Sequence, residues 1–125
     1  MTNHLKDKRI LIVEDERMIA QVLQIEITDG GGKVIGPVET VAAGLDAIAN
    51  TALDAAVLDI KLKDGRAYPV ADALADRRIP FVFTTGYDHG VPVRHANVRR
   101  LKKPVRATAL CRALEAAMST ERREE

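Results

Sequence analysis

The stretch Arg9-Ile10-Leu11-Ile12-Val13-Glu14-Asp15 decides the fold. Its aliphatic run has no polar alternation, which describes a strand covered on both faces, and the acids that end it mark where the chain leaves the core. Asp15 stands where it can cap a following helix. Met18, Ile19, Val22, Leu23 and Ile25 then recur at helical spacing, with Glu26 inside the same arc. Asp29-Gly30-Gly31-Gly32 stops that helix. The unit repeats along the chain. Lys33 to Pro37 reads as a second strand, and Val41, Leu45 and Ile48 mark a second helix. Asp54 to Asp59 is a third strand, a loop runs through Asp64-Gly65, and Tyr68-Pro69-Val70 opens a third helix with proline in its first turn. Phe81 to Thr85 is a fourth strand.

From Gly86 to Asn97 the pattern breaks. Gly86, Gly90 and Pro92 fall close together with no apolar stripe, so the expectation is an irregular loop or a single turn. Val98 to Leu101 is a weak fifth strand, interrupted by Arg99-Arg100. Pro104 opens the last helix, with Leu110, Ala113, Leu114 and Ala117 on one face, and Glu121 to Glu125 is expected to fray. Alternating strands and helices imply an α/β fold with one doubly wound, five-stranded parallel sheet and a poorly formed fourth helix.

Composition narrows the function classes. The chain has 125 residues, 46% hydrophobic and 30% charged, with 19 Lys+Arg against 18 Asp+Glu and a net charge of +1. Such a length suits one domain, expected here to span 1–125 with its core at about 8–118. Cys111 is the sole cysteine, so no disulfide or cysteine-built zinc site can form within one chain, and a reducing, cytoplasmic setting is expected. No apolar run approaches the roughly 18 residues of a membrane span, and the N-terminus lacks the pattern of a signal peptide. Near-neutral charge disfavours a nucleic-acid binder that works through phosphate neutralisation. No G-x-x-x-x-G-K is present, and Gly30-Gly31-Gly32 follows a helix, which disfavours a nucleotide site.

In sheets of this kind ligands bind at the carboxyl ends of the strands. There the sequence places Glu14-Asp15, Asp59, Thr84-Thr85 and Lys102-Lys103-Pro104. Gathered carboxylates repel one another and need a counter-charge, which a divalent cation supplies; an all-oxygen set suits Mg²⁺. A lysine and a threonine beside such a cation could meet phosphoryl oxygens, and Asp59 could itself be the nucleophile of an aspartyl-phosphate. Taken singly, each feature also has a plain reading as a helix cap, a strand-end turn or a solvated loop. Their conjunction at successive strand ends carries the argument.

These residues resemble the receiver domain of bacterial two-component response regulators. The likeness rests on Leu11-Ile12-Val13-Glu14-Asp15, Val57-Leu58-Asp59-Ile60, Phe83-Thr84-Thr85-Gly86 and Leu101-Lys102-Lys103-Pro104, and covers almost the whole chain. It implies a flavodoxin-like fold in which Asp59 is the phosphoacceptor. Asp15 would be a direct Mg²⁺ ligand, with Glu14 acting mainly through water and the Lys61 backbone carbonyl as a further ligand. Thr85 rather than Thr84 matches the switch hydroxyl, and Lys103 rather than Lys102 the phosphate-pairing lysine. Tyr87 matches a position that tunes phosphate lifetime. The implied partners are a sensor histidine kinase and a downstream protein or histidine phosphotransfer protein, with no nucleic acid and no membrane. The implied activity is confined to self-phosphorylation and self-dephosphorylation.

The departures from the family pattern point to a subset. Arg100 stands where receivers usually carry a switch aromatic, the loop after Asp59 lacks the usual proline, and the fourth helix is weak. The signature Phe-(Ala or Thr)-Thr-Gly, Tyr68 to Leu74, and Val34 to Pro37 look like stand-alone receivers paired with HWE-type kinases, which implies no attached output domain. The alternatives are a degenerate receiver acting as a phosphorylation-independent scaffold and an aspartyl-nucleophile phosphatase. The latter predicts an acid at Lys61. His4, His89 and His95 are expected to be exposed, Cys111 inert, and Arg94, Arg99 and Arg100 a solvated edge.

Overall fold

Each aliphatic run becomes a strand of one sheet. The computed structural model describes residues 4–86 and 90–123, with side chains through 119. In chain order the elements are β1 (Arg9–Val13), α1 (Arg17–Asp29), β2 (Lys33–Val38), α2 (Val41–Asn50), β3 (Ala55–Asp59), β4 (Lys61–Leu62), β5 (Gly65–Arg66), α3 (Tyr68–Asp76), β6 (Phe81–Thr85), a 3-10 turn (Val93–His95), β7 (Arg100–Lys102) and α4 (Ala107–Arg123). The main sheet has the order β2-β1-β3-β6-β7 with every pair parallel, while β4 and β5 form a small antiparallel hairpin. This is the expected doubly wound, five-stranded α/β fold.

Strand alternation divides the core between the two faces of the sheet. Ile10, Ile12, Val57 and Val82 pack with Leu23 and Ile27 of α1 and Leu110 and Leu114 of α4. Leu11, Val13, Leu58 and Phe83 pack with Ile48 of α2 and Val70 and Leu74 of α3. The chain leaves β1 toward β2 on one side and β3 toward β6 on the other. The crevice beyond β1 and β3 is therefore the topological switch point, where this class of sheet opens for ligands.

Edge strand β2 is irregular where the site needs it to be. Gly36 adopts φ +93°, and an added Cβ would lie 2.8 Å from the Val38 nitrogen. The register to β1 shifts between Leu11 and Val13, and the Val38 carbonyl accepts from the Glu14 N–H at 2.9 Å. A glycine followed by proline thus makes an edge bulge that carries β2 one residue past its expected end at Pro37 and fixes the backbone of Glu14.

Several local expectations are corrected. The N-cap of α1 is Glu16, without a side-chain cap bond, so Asp15 does not cap it. The buried stripe of α1 is Ala20, Leu23 and Ile27, with Ile19 half-buried, whereas Met18 (80% exposed), Val22 and Ile25 face solvent. Periodicity located a helix but not which of two apolar arcs meets the sheet, because both satisfy helical spacing. In α2 the buried face is Gly44 and Ile48, and Leu45 turns outward; Thr40 caps the helix through the Ala43 N–H. Strand β3 starts at Ala55, since the Asp54 carboxylate instead accepts from the Arg9 N–H at 2.8 Å. The loop after Asp59 contains a hairpin, and β7 begins at Arg100 rather than at Val98. Helix α4 begins at Ala107, three residues beyond Pro104.

Among the described residues between Gly86 and Asn97 the chain forms a single 3-10 turn at Val93–His95, and His95 is 2% exposed rather than solvated. Its ring packs edge-on against Phe81 and Phe83, and its Nε2 lies 2.7 Å from Asp72 Oδ1 on α3. Arg94 pairs with Asp72 and Asp76. The contact of the buried imidazole with Asp72 thus ties the 3-10 turn to α3. His4 is half-buried beside Glu115. Tyr87 and His89 lie outside the described residues.

Candidate functional site at the strand ends

Parallel pairing of Val13 with Leu58 puts the next residue of each strand, Glu14 and Asp59, side by side at the mouth of the crevice. Glu14 is 1% and Asp59 4% exposed. The Glu14 carboxylate accepts from the Glu16 N–H at 3.1 Å, and Asp59 Oδ1 from the Lys61 N–H at 3.4 Å. Asp15 is half-buried, and one carboxylate oxygen from each of Glu14, Asp15 and Asp59 lies within 4.8 Å of the others.

Lys103 supplies the cation. It sits after β7, with its N–H donating to the Thr85 carbonyl at 2.9 Å, and its side chain is mostly buried. Nζ reaches Glu14 Oε1 at 3.1 Å, Asp59 Oδ2 at 3.2 Å and Glu16 Oε1 at 4.0 Å. Lys102, one residue earlier, is exposed. Strand alternation decides between the two lysines, because neighbours on a strand face opposite ways. Register pairs Asp59 with Thr84, which places Thr85 one step further out as the last residue of β6, 6% exposed. The Thr84 hydroxyl, on the far side of that alternation, is buried with no hydrogen-bond partner among the described residues.

The electrostatics follow from burial. Desolvation pushes Glu14 up to about 7, helped by its contact with Asp59 and opposed by the Glu16 N–H and Lys103. Burial works to lower Lys103, but the Asp59 and Glu14 carboxylates outweigh it and hold the ammonium above its ordinary value. Although Glu14 Oε1 is close to Lys103, it is buried with no aligned hydrogen bond. One lysine facing three carboxylates leaves an excess of negative charge, and every available donor is an oxygen. That donor set fits a hard divalent cation such as Mg²⁺.

Known structures share this architecture. The signal receiver domain of a modulated diguanylate cyclase from Desulfovibrio desulfuricans superposes with a TM-score of 0.83 at 28% identity, covering 96% of this chain and 100% of that one. A CheY-like response regulator receiver domain from Methanospirillum hungatei gives 0.80 at 25% identity, over 96% and 100%. SdrG from Sphingomonas melonis is 40% identical over 93% of this chain and 98% of its own, with a TM-score of 0.79. The chain belongs to the response regulator receiver domains. A scan of protein-family models and a search of curated proteins found no match.

Within this receiver the strand ends bring Glu14, Asp15, Asp59 and Lys103 together. Sequence reasoning missed two neighbours. Glu16 approaches Lys103 and donates its N–H to Glu14, and Asp64, in the hairpin after Asp59, accepts from the Val41 N–H at 2.9 Å to hold that hairpin against α2. An acid directly before a helix was the available signal for Glu16; Asp64 had none, because its partner lies in another crossover.

Proposed function

We propose that this receiver takes a phosphoryl group from the phosphohistidine of a sensor histidine kinase onto Asp59, and that the modified surface changes its affinity for protein partners. The observation that carries this reading is Lys103 Nζ at 3.2 Å from Asp59 beside an acidic cluster suited to a cation. In the transfer, a carboxylate oxygen of Asp59 bonds to phosphorus as the phosphorus–nitrogen bond breaks, and the leaving imidazole keeps the bond's electron pair. Glu14, Asp15, Asp59 and the Lys61 carbonyl would hold Mg²⁺, which when bound neutralises charge on the phosphoryl oxygens. Lys103 meets one of those oxygens once Asp59 is phosphorylated, and the Thr85 hydroxyl another. Activity is confined to forming and hydrolysing its own acyl phosphate.

The kinase is of the HWE type, on the signature residues Phe83 to Gly86 and Tyr68 to Leu74. Downstream, the receiver acts through docking, relay or as a phosphate sink. A protein partner suits the surface: Met18, Val22 and Ile25 form an exposed apolar arc on α1, whose first turn adjoins Glu14 and Asp15. Incubation with Mg²⁺ and acetyl phosphate, or with a phosphorylated kinase, should label the wild-type chain and leave Asp59→Asn unlabelled. Equal label in the two, or none in the wild type, refutes the proposal.

A further inference from the structure

The junction between β2 and α2 touches both sides of the acidic cluster. At its first residue the Val38 carbonyl accepts from the Glu14 N–H at 2.9 Å. At its last the Val41 N–H, which opens α2, donates to the Asp64 carboxylate, at 2.9 Å to Oδ1 and 3.2 Å to Oδ2. Asp64 lies in the turn between β4 and β5, the hairpin that begins directly after Asp59-Ile60. One short stretch of backbone thus holds Glu14 at one strand end and the hairpin beyond another.

The hairpin needs that hold. It pairs only Lys61 with Arg66 and Leu62 with Gly65, and two-stranded hairpins are marginal in water on their own. The Lys61 N–H reaches Asp59 Oδ1 only at 3.4 Å. The Ala67 N–H donates to the Ile60 carbonyl at 2.8 Å and the Leu62 side chain is buried, but among the described residues Asp64 is the tether at the turn itself. The bond serves the hairpin more than the helix, because Thr40 already caps α2 through the Ala43 N–H. The first N–H of a helix has no intrahelical partner, and a carboxylate there gains both a charge-assisted hydrogen bond and the positive end of the helix.

We propose that Asp64 is a positioning residue of the cation site: by anchoring the hairpin to α2 it fixes the Lys61 carbonyl for Mg²⁺. The proposal rests on the phosphoacceptor reading above, in which that carbonyl is a ligand. Mg²⁺ alone is titrated into the full chain and followed by backbone amide NMR. Asp64→Ala should weaken Mg²⁺ binding about tenfold. Asp64→Asn loses the same charge but keeps an acceptor oxygen, and should stay within about twofold of wild type. Val41→Pro removes the N–H without changing charge, at a first-turn position that tolerates proline, and should match Asp64→Ala. Asp64→Ala/Val41→Pro should be no weaker than either single variant, because both delete one bond. With acetyl phosphate, Asp64→Ala should need about tenfold more Mg²⁺ for half-maximal labelling yet reach the wild-type rate at saturation, which shows that it folds. In a wild-type chain that binds Mg²⁺, unchanged affinity in Asp64→Ala, equal losses in Asp64→Asn and Asp64→Ala, or additive losses in the double variant would overturn this proposal alone. A wild-type chain that neither binds Mg²⁺ nor takes label overturns the phosphoacceptor reading and this proposal with it.

Discussion

Replacing Glu14 by glutamine should stabilise the metal-free protein at alkaline pH, although it removes a group that faces a lysine. Glu14 is buried with its carboxyl raised from 4.5 to about 7, chiefly by desolvation and then by Asp59. A carboxyl raised on folding holds its proton more tightly in the folded chain. Its contribution to stability is therefore full below pH 4.5 and is lost as pH rises through 7. With about 1.4 kcal/mol per pH unit, ionising Glu14 costs the fold about 3 kcal/mol at pH 8 and under about 1 kcal/mol at pH 5. Glutamine cannot ionise, and it keeps the side-chain length of protonated Glu14. Urea unfolding in EDTA, with a slope of about 1–3 kcal/mol per molar, should show the gap between Glu14→Gln and wild type widening by about 1–2 M in midpoint from pH 5 to pH 8. Saturating Mg²⁺ should narrow the gap at pH 8, because the cation takes over the role of the proton. A gap independent of pH, or one that widens toward acid, would refute the assignment of the charge excess to Glu14.

Three further outcomes follow from other parts of the structure. Lys103→Met removes the cation 3.1 Å from Glu14 and 3.2 Å from Asp59, and should tighten Mg²⁺ binding about tenfold by calorimetry while lowering label from acetyl phosphate. Asp72→Ala leaves the buried His95 ring without its polar partner, and should destabilise the protein by about 1–3 kcal/mol with amide exchange rising first between Gly90 and Val98. Gly32→Ala places a methyl 2.8 Å from Ile27 Cγ2 and 3.3 Å from Leu5 Cβ, and should cost about 1–3 kcal/mol in thermal or urea unfolding.

Legibility in the sequence followed the range of the forces involved. The strands β1, β3 and β6 were readable because strands buried on both faces carry short apolar runs without polar alternation. The break in helical pattern around Val93–His95 was readable because glycine and proline act on their own backbone. Helix faces were not. Val22 and Ile25 satisfy helical spacing as well as Leu23 and Ile27 do, and only the direction in which β1 hands the chain to α1 selects the buried arc. His95 was misread for the same reason, since the acid that makes its burial tolerable lies 23 residues earlier on α3.

The site divides along the same line. The sequence by itself determined that carboxylates, hydroxyls and lysines end successive strands, because a parallel sheet delivers every strand's last residue to one edge. Only the tertiary structure decided which of them meet. Register set Glu14 beside Asp59, alternation turned Lys103 rather than Lys102 inward, and a bulge at Gly36–Pro37 brought the Val38 carbonyl to Glu14. Burial then moved the ionisation of Glu14, a property of its surroundings that no residue type carries alone.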